Sequence, residues 1–400
     1  MFRRKYRDFV FDCKQSLENM YFWTYAFGWI ILTFAMTTYS RTLIFYKSLI
    51  MNVKHSLICL LLLLFLVSCT DEDRTLTFSD VTYVRNFPEH CTVIESTKVP
   101  LDLPGLRDIK LKDSILFVSQ DGQDRSVKMF GYPSLAYLGD FVMIGNGPGE
   151  LLSAPFFSET SFSRHNDSLY ISIPDFKMKI VRYNVTAALS GDAGCFTQHP
   201  LELGGSALGV YSFDESTYYY MSLSQGMTSL TRHLIVDGEE QVLEAQEELN
   251  TAKLSINDGY AFNLLSSIPA YDSNSGVIVE CCLAANRLNF YSVNDPSFKK
   301  TVVIGNKLSS IKEAEARMKL APVLPGCTFS VKTYDDCFLV LYGNGIPDSK
   351  ERTVLVFDWQ GNPLQRIDLP SKVRAVDIDF DNRTLIAADY ETEELYFHKY

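Results

Sequence analysis

The stretch Phe141–Glu150 reads FVMIGNGPGE, a short run of strand-forming residues that leads directly into a glycine-rich turn. Val302–Asn306 (VVIGN) repeats its centre, and Leu201–Gly205 (LELGG) and Ile367–Pro370 (IDLP) repeat its shape. Apolar and β-branched residues followed by Gly, Pro or Asn are typical of a strand that ends in a turn. We interpret each copy as the outermost strand of a sheet unit, followed by the turn that leads to the next unit.

A tight polar turn followed by a strongly apolar strand recurs from residue 105 onward, at intervals of 46 to 62 residues. Asp, Asn, Ser and Gly favour such turns because they tolerate unusual backbone angles and bond their own main chain. The turns centre on Asp113, Asp167, Glu215, Ser273, Asp335 and Asp381. Repetition at this period, with about four short strands in each unit, is the signature of an all-β fold, the β-propeller.

The sixth unit has one strand fewer than the others. Its strands are Val373–Asp379, Leu385–Ala388 and Glu394–Lys399. We expect the missing fourth strand from the other end of the chain, at Thr92–Val99, where residues alternate as they do in a strand. Closing the ring in this way pairs both free edges. The sequence therefore predicts a six-bladed β-propeller over residues 91–400, with four-stranded antiparallel blades and an N-terminal strand that completes the last blade.

Residues 51–69 are organised like a bacterial lipoprotein signal peptide. Lys54 and His55 form a short polar start, and the apolar segment Leu57–Leu66 follows. This segment is too short to span a bilayer, which favours a signal peptide over an anchor helix. Leu66–Cys69 (LVSC) resembles a lipobox, in which Cys69 is diacylated and becomes the N-terminus. The alternative is an ordinary signal peptide that ends beside an unmodified cysteine.

Residues 1–50 precede this signal peptide, and we interpret them as an upstream extension from a start codon assigned too early. Tyr21–Tyr39 is apolar enough to be read instead as a membrane helix. Residues 70–90 are expected to form an acidic tether. The acidic run Thr70–Asp73 resembles the surface-export signal of lipoproteins in some Gram-negative anaerobes, and it is equally consistent with a plain solvated tether.

The composition is that of an acidic globular protein. Of its 400 residues, 46% are hydrophobic and 13% aromatic, enough for a large core. Eight of the 37 Lys and Arg and three of the 48 Asp and Glu lie in residues 1–68, which leaves a net charge of −16 for the rest. Such a surface repels phosphate backbones, so we expect no nucleic-acid partner. The six cysteines after Cys69 lack zinc-ligand spacing and are expected to be mostly buried thiols.

The lipobox, the six-fold repeat and the element Ile144–Glu150 (IGNGPGE) together resemble the TolB-like and NHL-like six-bladed propeller lipoproteins. The similarity covers about residues 75–400. It implies a propeller held at the outer membrane through a lipid on Cys69, facing the cell surface or the periplasm. It is informative about the fold and the cellular location, and it says little about a catalysed reaction or a ligand.

Two kinds of connection meet on one face of a four-stranded blade: the link between strands two and three, and the link to the next blade. In this chain these links are longer and less regular than the turns opposite, and we call this side the loop-rich face. Long loops on a rigid scaffold commonly form binding surfaces. The candidate ligand-binding residues in these links are Asp121, Asn146, Glu150, Asp175, Asn286, Arg287, Asn344 and Asp389.

One helix is predicted on the same face. Ser310–Glu313 (SIKE) is a capping box, Ile311, Ala314 and Met318 recur at helical spacing, and Pro322 stops the helix. This helix either contributes to a binding surface or fills a gap between two blades.

Motifs for catalysis or phosphate binding are weak. The glycine-rich stretch leads into Leu151–Phe157, which contains Pro155 and no helical run, so we interpret it as a structural turn and not a phosphate loop. The sequence has no HExxH or GxSxG motif and no histidine arrangement typical of zinc. A calcium site in the central channel needs several converging oxygen ligands. The candidates for such a site are Asp121, Glu150, Asp175, Asn344 and Asp389.

We therefore expect a membrane-anchored lipoprotein whose propeller binds a protein or carbohydrate partner on the loop-rich face and needs no cofactor. The first alternative is a hydrolase or lyase with a divalent metal ion, such as calcium, in the central channel. A further alternative is a purely structural subunit of an outer-membrane assembly.

Overall fold

The computed structural model describes residues 73–400 except for residues 177, 193–194, 258, 321–322, 347–350 and 371. The predicted upstream extension, the signal peptide and Cys69 lie outside the described residues. Within them, six β-sheets form the blades of a propeller, and the first strand of each blade lies innermost. The six-bladed all-β fold expected from the repeat is confirmed.

The strands follow the order of the repeat. The chain opens with β1 (Val81–Val84), β2 (Glu89–Thr92) and β3 (Glu95–Lys98). Blade one contains β4 (Leu106–Lys112), β5 (Ile115–Gln120), β6 (Arg125–Gly131) and β7 (Ala136–Met143). Blade two contains β8 (Ser161–His165), β9 (Ser168–Asp175), β10 (Lys179–Asn184) and β11 (Phe196–Pro200). Blade three contains β12 (Ser206–Ser212), β13 (Thr217–Leu223), β14 (Leu230–Val236) and β15 (Glu239–Gln241).

The last three blades each use one of the N-terminal strands. Blade four contains β16 (Ser267–Asp272), β17 (Val277–Cys282), β18 (Arg287–Ser292) and β19 (Lys299–Ile304), with β1 outside them. Blade five contains β20 (Thr328–Thr333), β21 (Cys337–Tyr342), β22 (Thr353–Asp358) and β23 (Pro363–Asp368), with β2 outside them. Blade six contains β24 (Val373–Asp379), β25 (Thr384–Asp389) and β26 (Leu395–Lys399), with β3 as its fourth strand.

The last blade is closed by the N-terminal strand, as predicted. β3 pairs with β26 in antiparallel register, with Lys98 opposite Tyr396 and Glu95 opposite Lys399. Ser96 Oγ and His398 Nδ1, one on each strand, share a hydrogen bond of 2.8 Å. Without β3, the strand β26 would be an unpaired sheet edge.

Blades four and five are larger than predicted. β1 lies parallel to β19 and β2 lies parallel to β23, so each of these blades has five strands. β1 and β2 therefore cover two segments that were interpreted above as outermost, Val302–Asn306 and Ile367–Pro370. The expected tether over residues 70–90 is also partly propeller. Its Leu76 and Phe78 are buried, because this segment supplies apolar side chains that cover the outer edge of blade four.

The predicted helix is present as α3 (Ile311–Leu320), and Ser310 Oγ accepts a hydrogen bond from Glu313 N at 3.1 Å. The shorter helices α1 (Val185–Leu189) and α2 (Glu244–Asn250) and a 3₁₀ helix (Ala261–Leu264) were not predicted. Glu315 Oε1 of α3 accepts hydrogen bonds from the backbone N of Ser255 and Ile256, which ties the helix to the link before blade four. In the described part of the chain, no helix has the length and hydropathy needed to cross a bilayer.

The core lies between neighbouring blades. Every residue of β17 and of β18 is buried, because both faces of a blade pack against other structure. Short, continuously apolar strands such as Phe338–Leu341 reflect this double coverage. All six described cysteines are free, but only Cys281, Cys282 and Cys327 are buried, so the expectation of buried thiols holds for half of them.

Candidate functional site

A cavity of about 690 Å³ lies at one end of the central channel. Most of its lining residues lie at the C-terminal ends of innermost strands and in the turns that join them to the second strands. Blade two instead contributes residues between 157 and 162, at and before the start of β8, and Trp359 follows β22. We call this side the turn face, and it is opposite the loop-rich face because successive strand ends alternate between the two. A concave site of this volume is in the range that binds small molecules.

Four blades contribute an aromatic side chain to the cavity from the same position, directly before the aspartate of the first turn. These residues, named here the aromatic quartet, are Phe213, Tyr271, Tyr334 and Phe380. Phe213 stacks on Tyr271 with ring centroids 5.0 Å apart and an interplanar angle of 15°. Tyr334 meets Phe380 edge to face, at 5.1 Å and 81°. Both are favoured arrangements of aromatic pairs, so the quartet presents ordered ring surfaces at the mouth.

Further aromatic rings line the cavity behind the quartet. Phe157, Phe162 and Trp359 are among its lining residues. The indole N–H of Trp359 donates to the backbone oxygen of Asp335 at 3.3 Å, which holds the first turn of blade five against the third strand. The wall is therefore aromatic on several sides, and one of its turns is fixed by a hydrogen bond.

Carboxylates surround the aromatic quartet. Asp335, Asp336 and Asp381 line the cavity and are exposed. Their carboxyl groups have no hydrogen-bond or ion-pair partner among the described residues. Asp272 differs, since its carboxylate accepts the backbone N–H groups of Asn274 and Ser275 at 3.0 and 3.1 Å. The rim thus offers three carboxylates with open acceptor positions.

Two buried lysines line the inner part of the cavity. Lys332 Nζ lies 2.8 and 2.7 Å from the two carboxylate oxygens of Asp108. Lys110 Nζ lies 3.5 Å from Asp377 Oδ2 and 4.3 Å from the ring centroid of Tyr334. Burial lowers the pKa of the Lys110 ammonium, and the nearby charge of Asp377 opposes this shift. Each lysine is matched by a carboxylate, so the inner wall is polar but nearly neutral.

Glu159 carries the strongly shifted carboxyl group near this site. It lies between Ser158 and Thr160, both of which line the cavity. Burial raises the pKa of Glu159 from 4.5 to about 7; the charge of Arg107 opposes the shift and that of Asp108 adds to it. Glu159 therefore changes charge near neutral pH, beside the cavity.

The glycine-rich stretch on the loop-rich face is a structural turn, as interpreted from the sequence. Glu150 folds back over it, and its Oε2 accepts a hydrogen bond from Gly147 N at 2.5 Å. Gly149 has φ of +70°, and a Cβ there would lie 2.5 Å from the ring of Phe196. Only glycine fits this position, for reasons of backbone angle and packing. Asn146 is exposed in the same turn.

The remaining predicted residues of blades one and two have partners within the fold. Asp121 forms an ion pair with Arg107 at 2.8 Å. Asp175 is buried, and its Oδ1 accepts the backbone N–H of Leu152 at 2.9 Å, which fixes the link between the two blades. Both residues stabilise connections on the loop-rich face.

Asn286 and Arg287 organise the base of helix α3. Asn286 Nδ2 donates to the backbone oxygens of Ile304 and Lys307 at 2.8 Å each. Arg287 is fully buried and donates to the backbone oxygens of Thr75 and Ser309. These side chains hold the N-terminal segment and the helix in place.

Asn344 and Asp389 lie in links of blades five and six. Asn344 Nδ2 donates to Glu351 at 3.0 Å and lines a second cavity of about 180 Å³ between blades four and five. Asp389 Oδ1 accepts the backbone N–H groups of Glu391 and Thr392, the pattern of an aspartate turn. The eight predicted residues are thus spread over the loop-rich face, and neither cavity is lined by more than one of them.

Among the described residues, no set of metal ligands supports the alternative of a metal-dependent enzyme. No group of three or more His, Cys, Asp or Glu side chains among those residues is placed to hold one metal ion. The candidates for calcium lie on different blades or links, from Asp121 on blade one to Asp389 on blade six. Convergence of oxygen ligands, which calcium requires, is missing for this set.

The sequence contains a pattern that predicts the aromatic quartet, and this pattern is missed when only the turn-forming residues are considered. An aromatic residue precedes aspartate at the first turn of four successive units: Phe213-Asp214, Tyr271-Asp272, Tyr334-Asp335 and Phe380-Asp381. The aspartates explain the turns, but they give no reason for a large ring before each of them. Three of these rings pack against the core and Tyr334 also donates to Asp377, but their recurrence at one position also brings them together around one cavity at the axis.

Residues 89–382 match the family described as TolB-like 6-blade propeller-like. The chain belongs to this family. The resemblance drawn from the lipobox, the repeat and Ile144–Glu150 is thereby confirmed for the propeller.

Several solved structures are similar to this TolB-like propeller. A member of the duf4221 family from Bacteroides vulgatus ATCC 8482 is 12% identical with a TM-score of 0.46, covering 77% of this chain and 96% of that one. The calcium-binding protein regucalcin from Agrobacterium tumefaciens strain C58 is 11% identical with a TM-score of 0.42, covering 78% and 95%. The Cps50 (Swd1) β-propeller domain from Myceliophteria thermophila is 9% identical with a TM-score of 0.41, covering 76% and 99%. A search of curated proteins gave no match.

Proposed function

We propose that this TolB-like propeller is a membrane-anchored binding module that takes a neutral glycan into the cavity on its turn face. The aromatic quartet at the mouth of the cavity carries the proposal. Aromatic rings stack on the C–H faces of sugar rings, and carboxylates accept hydrogen bonds from sugar hydroxyls. The quartet and the three open carboxylates of Asp335, Asp336 and Asp381 supply both kinds of contact side by side.

The shape of the site favours a carbohydrate over a protein partner here. A protein interface of ordinary size covers about 800 Å² on each partner and is broad. The turn face instead offers a concave site enclosed by innermost strands, with Trp359 and Phe157 well inside it. A short oligosaccharide enters such a site more easily than a folded protein does. The ligand site therefore differs in position from the loop-rich face favoured by the sequence.

The charge of the site favours a neutral ligand. The rim carboxylates repel anionic sugars, and the net charge of −16 after residue 68 adds to this repulsion. Lys110 and Lys332 offset it little, because each is paired with a buried aspartate. Sulfated and uronic-acid glycans are accordingly expected to bind more weakly than neutral glycans.

Attachment to the outer membrane, facing the cell surface or the periplasm, is part of the same proposal. It is supported by the signal peptide and lipobox read from residues 51–69. A lipid on Cys69 keeps the binding module at the surface where glycans are encountered. Mass spectrometry of the N-terminal peptide from membranes tests this part directly, because diacylation at Cys69 adds a defined mass.

Glycan-array screening followed by calorimetry tests the binding function. The soluble chain from residue 70 is expected to bind neutral oligosaccharides in preference to heparin or polygalacturonate. The variant F380A is expected to weaken binding about tenfold, equivalent to about 1.4 kcal/mol. Y390A is the matched control, because Tyr390 is an exposed ring on the loop-rich face. Preference for anionic glycans, or a loss in Y390A with none in F380A, contradicts the proposal.

A further inference from the structure

We propose that the loop-rich face of the anchored propeller rests on the lipid surface, so that the cavity on the turn face points away from the membrane. This inference depends on the lipid anchor at Cys69 in the proposed function. It goes beyond that function because it gives the loop-rich face a partner, a phospholipid bilayer, and it fixes the orientation of the ligand site.

The start of the described chain is fixed to the loop-rich face. Asp73 Oδ2 accepts hydrogen bonds from Ser310 Oγ and from the backbone N of Lys312, both at 2.9 Å, at the first turn of helix α3. Burial alone would raise the pKa of Asp73, but these bonds and those from Thr75 outweigh it and lower the pKa to about 2. Asp73 is therefore a charged cap on α3 throughout the physiological range.

The residues that follow Asp73 reinforce this attachment. Arg287 Nη1 donates to Thr77 Oγ1 at 2.7 Å and also to the backbone oxygen of Thr75. Leu76 and Phe78 are buried beside blade four, and Phe78 N donates to Thr301 Oγ1 at 2.9 Å. The chain thus enters the propeller at the loop-rich face and does not reach it from the turn face.

Chain length then limits where the anchor is. Cys69 precedes Asp73 by four residues, a separation of at most about 14 Å in extended chain. A seven-residue strand such as β4 spans about 23 Å between the two faces. A lipid on Cys69 therefore lies within about 14 Å of Asp73 on the loop-rich face, which is less than the strand length of about 23 Å that separates Asp73 from the turn face.

Exposed apolar side chains gather on the same face. Nineteen large hydrophobic residues are exposed among those described, and thirteen of them lie in the links or strand ends of the loop-rich face. These are Met143, Leu152, Phe156, Phe176, Met178, Met227, Val242, Tyr260, Leu320, Val323, Phe329, Ile346 and Tyr390. They come from links of all blades and are therefore distributed around the ring. A planar, deformable lipid surface accommodates such separate points better than one rigid protein partner does.

Helix α3 ends in a group that suits the lipid headgroup region. Leu320 is 88% exposed at the C-terminal end, and Arg317 and Lys319 are exposed beside it. The apolar face of α3 packs on the protein, so Leu320 is the group available to insert at a membrane interface while the basic side chains beside it keep their charges at the headgroups. Asp73 lies at the opposite, N-terminal end of the same helix, about 15 Å from Leu320 at 1.5 Å per residue, so one short helix joins the entry point of the chain to this apolar tip.

Cation–π pairs add amphipathic side chains on three other blades. Arg107 lies 3.8 Å from the ring centroid of Phe156, Arg352 lies 3.8 Å from that of Phe329, and Lys372 Nζ lies 4.3 Å from that of Tyr390. Tyr side chains such as Tyr390 are enriched at membrane–water interfaces, and Arg and Lys lay their apolar stems along such a surface while keeping their charges in water. The face as a whole thus has aromatic, basic and apolar groups at the level where the anchor enters.

Fluorescence quenching by brominated lipids tests the orientation. The full lipoprotein is reconstituted in phosphatidylcholine vesicles, which are zwitterionic and so do not repel the acidic chain. The variants L320W and L189W are compared, because both leucines end a helix, Leu320 on the loop-rich face and Leu189 on the turn face. Brominated acyl chains are expected to reduce emission of L320W about twofold, since interfacial side chains lie about 5–10 Å into the boundary region. Emission of L189W is expected to stay unchanged.

Each outcome decides between orientations. Equal quenching of both variants, quenching of L189W alone, or quenching of neither overturns the inference. Co-flotation with vesicles, measured on the same samples, distinguishes these results from a missing anchor: a chain that does not float contradicts lipidation of Cys69. In the L320W background, F176D together with Y260D is expected to reduce the quenching while flotation persists. Unchanged quenching in that combined variant means that the face does not dock as a unit, which also contradicts the inference.

Discussion

Lys332 of blade five reaches the Asp108 carboxylate of blade one, with Nζ–O distances of 2.8 and 2.7 Å, although blade six separates the two blades. Asp108 Oδ2 also accepts the backbone N–H of Phe157 at 2.7 Å. The pair therefore joins non-adjacent blades inside the channel and positions the chain that lines the cavity. It couples the stability of the ring to the shape of the proposed ligand site.

The first prediction concerns this buried pair. K332M leaves Asp108 buried without its counter-charge, and we expect a loss of about 3–5 kcal/mol in the free energy of unfolding. The double variant D108L/K332M should recover most of the loss, because neither charge is then buried alone. Urea denaturation of the soluble chain measures both. K98M, which removes an exposed ion pair with Glu394, is the control and should leave the midpoint unchanged. Equal losses for K332M and the double variant contradict this explanation.

The second prediction concerns pH. The pKa of Glu159 is raised from 4.5 to about 7 in the folded state, so the folded protein holds this proton more tightly than the unfolded chain does. Its stabilising effect is complete below pH 4.5 and is lost as the pH rises through about 7, by at most about 3 kcal/mol. E159Q keeps the neutral form, so it should be more stable than the wild type at pH 8 and equal to it at pH 4.5. Urea midpoints that differ by the same amount at both pH values contradict the assignment.

The third prediction separates the roles of the N-terminal strands. A chain that begins at residue 93 lacks β1 and β2, which add a fifth strand to complete blades, and we expect it to fold as a monomer with reduced stability. A chain that begins at residue 100 also lacks β3 and leaves β26 as an open edge, which promotes association between chains. Size-exclusion chromatography with light scattering measures the difference. A monomeric chain from residue 100 contradicts the role of β3 in ring closure.

The fourth prediction concerns the cap on helix α3. D73A removes the acceptor for Ser310 Oγ and Lys312 N, and loss of such a cap costs about 1 kcal/mol. Because Ser310 still caps Glu313, we expect α3 to loosen without unfolding the propeller. Hydrogen exchange should become faster in residues 311–320 and stay unchanged in blade two. Uniformly faster exchange in both regions means that Asp73 acts on global stability and not on the helix.

The blade order was readable from the sequence because each unit repeats the same local chemistry. An aspartate or asparagine turn before an apolar strand forms through interactions between residues that are close in the sequence. The sixth unit lacked one strand, and this indicated that Thr92–Val99 supplies it. The fifth strands of blades four and five were not readable. Val81 finds its partner Thr301 far away in the sequence, and four-residue strands carry too short a pattern to reveal this.

The candidate site was harder to predict than the fold. Residue types such as Asp121 and Asp389 are common both in ligand sites and in turns, and the structure uses these two for an ion pair and a turn. The cavity depends on side chains from all six blades, which meet only when the ring closes. The recurrence of Phe or Tyr before the turn aspartate was the available signal, and it becomes meaningful once Tyr271 and Tyr334 are placed around one axis.

Emission from Trp359 tests the central claim most directly, because it is the only tryptophan after Cys69 and it lines the cavity. The neutral oligosaccharide that binds best on the array is titrated into the soluble chain while Trp359 emission and binding heat are recorded on matched samples. We predict a saturable change in emission with the same dissociation constant as the heat, and a parallel loss of both signals in F380A. Binding heat without any change in Trp359 emission would contradict a glycan site at the mouth of the channel.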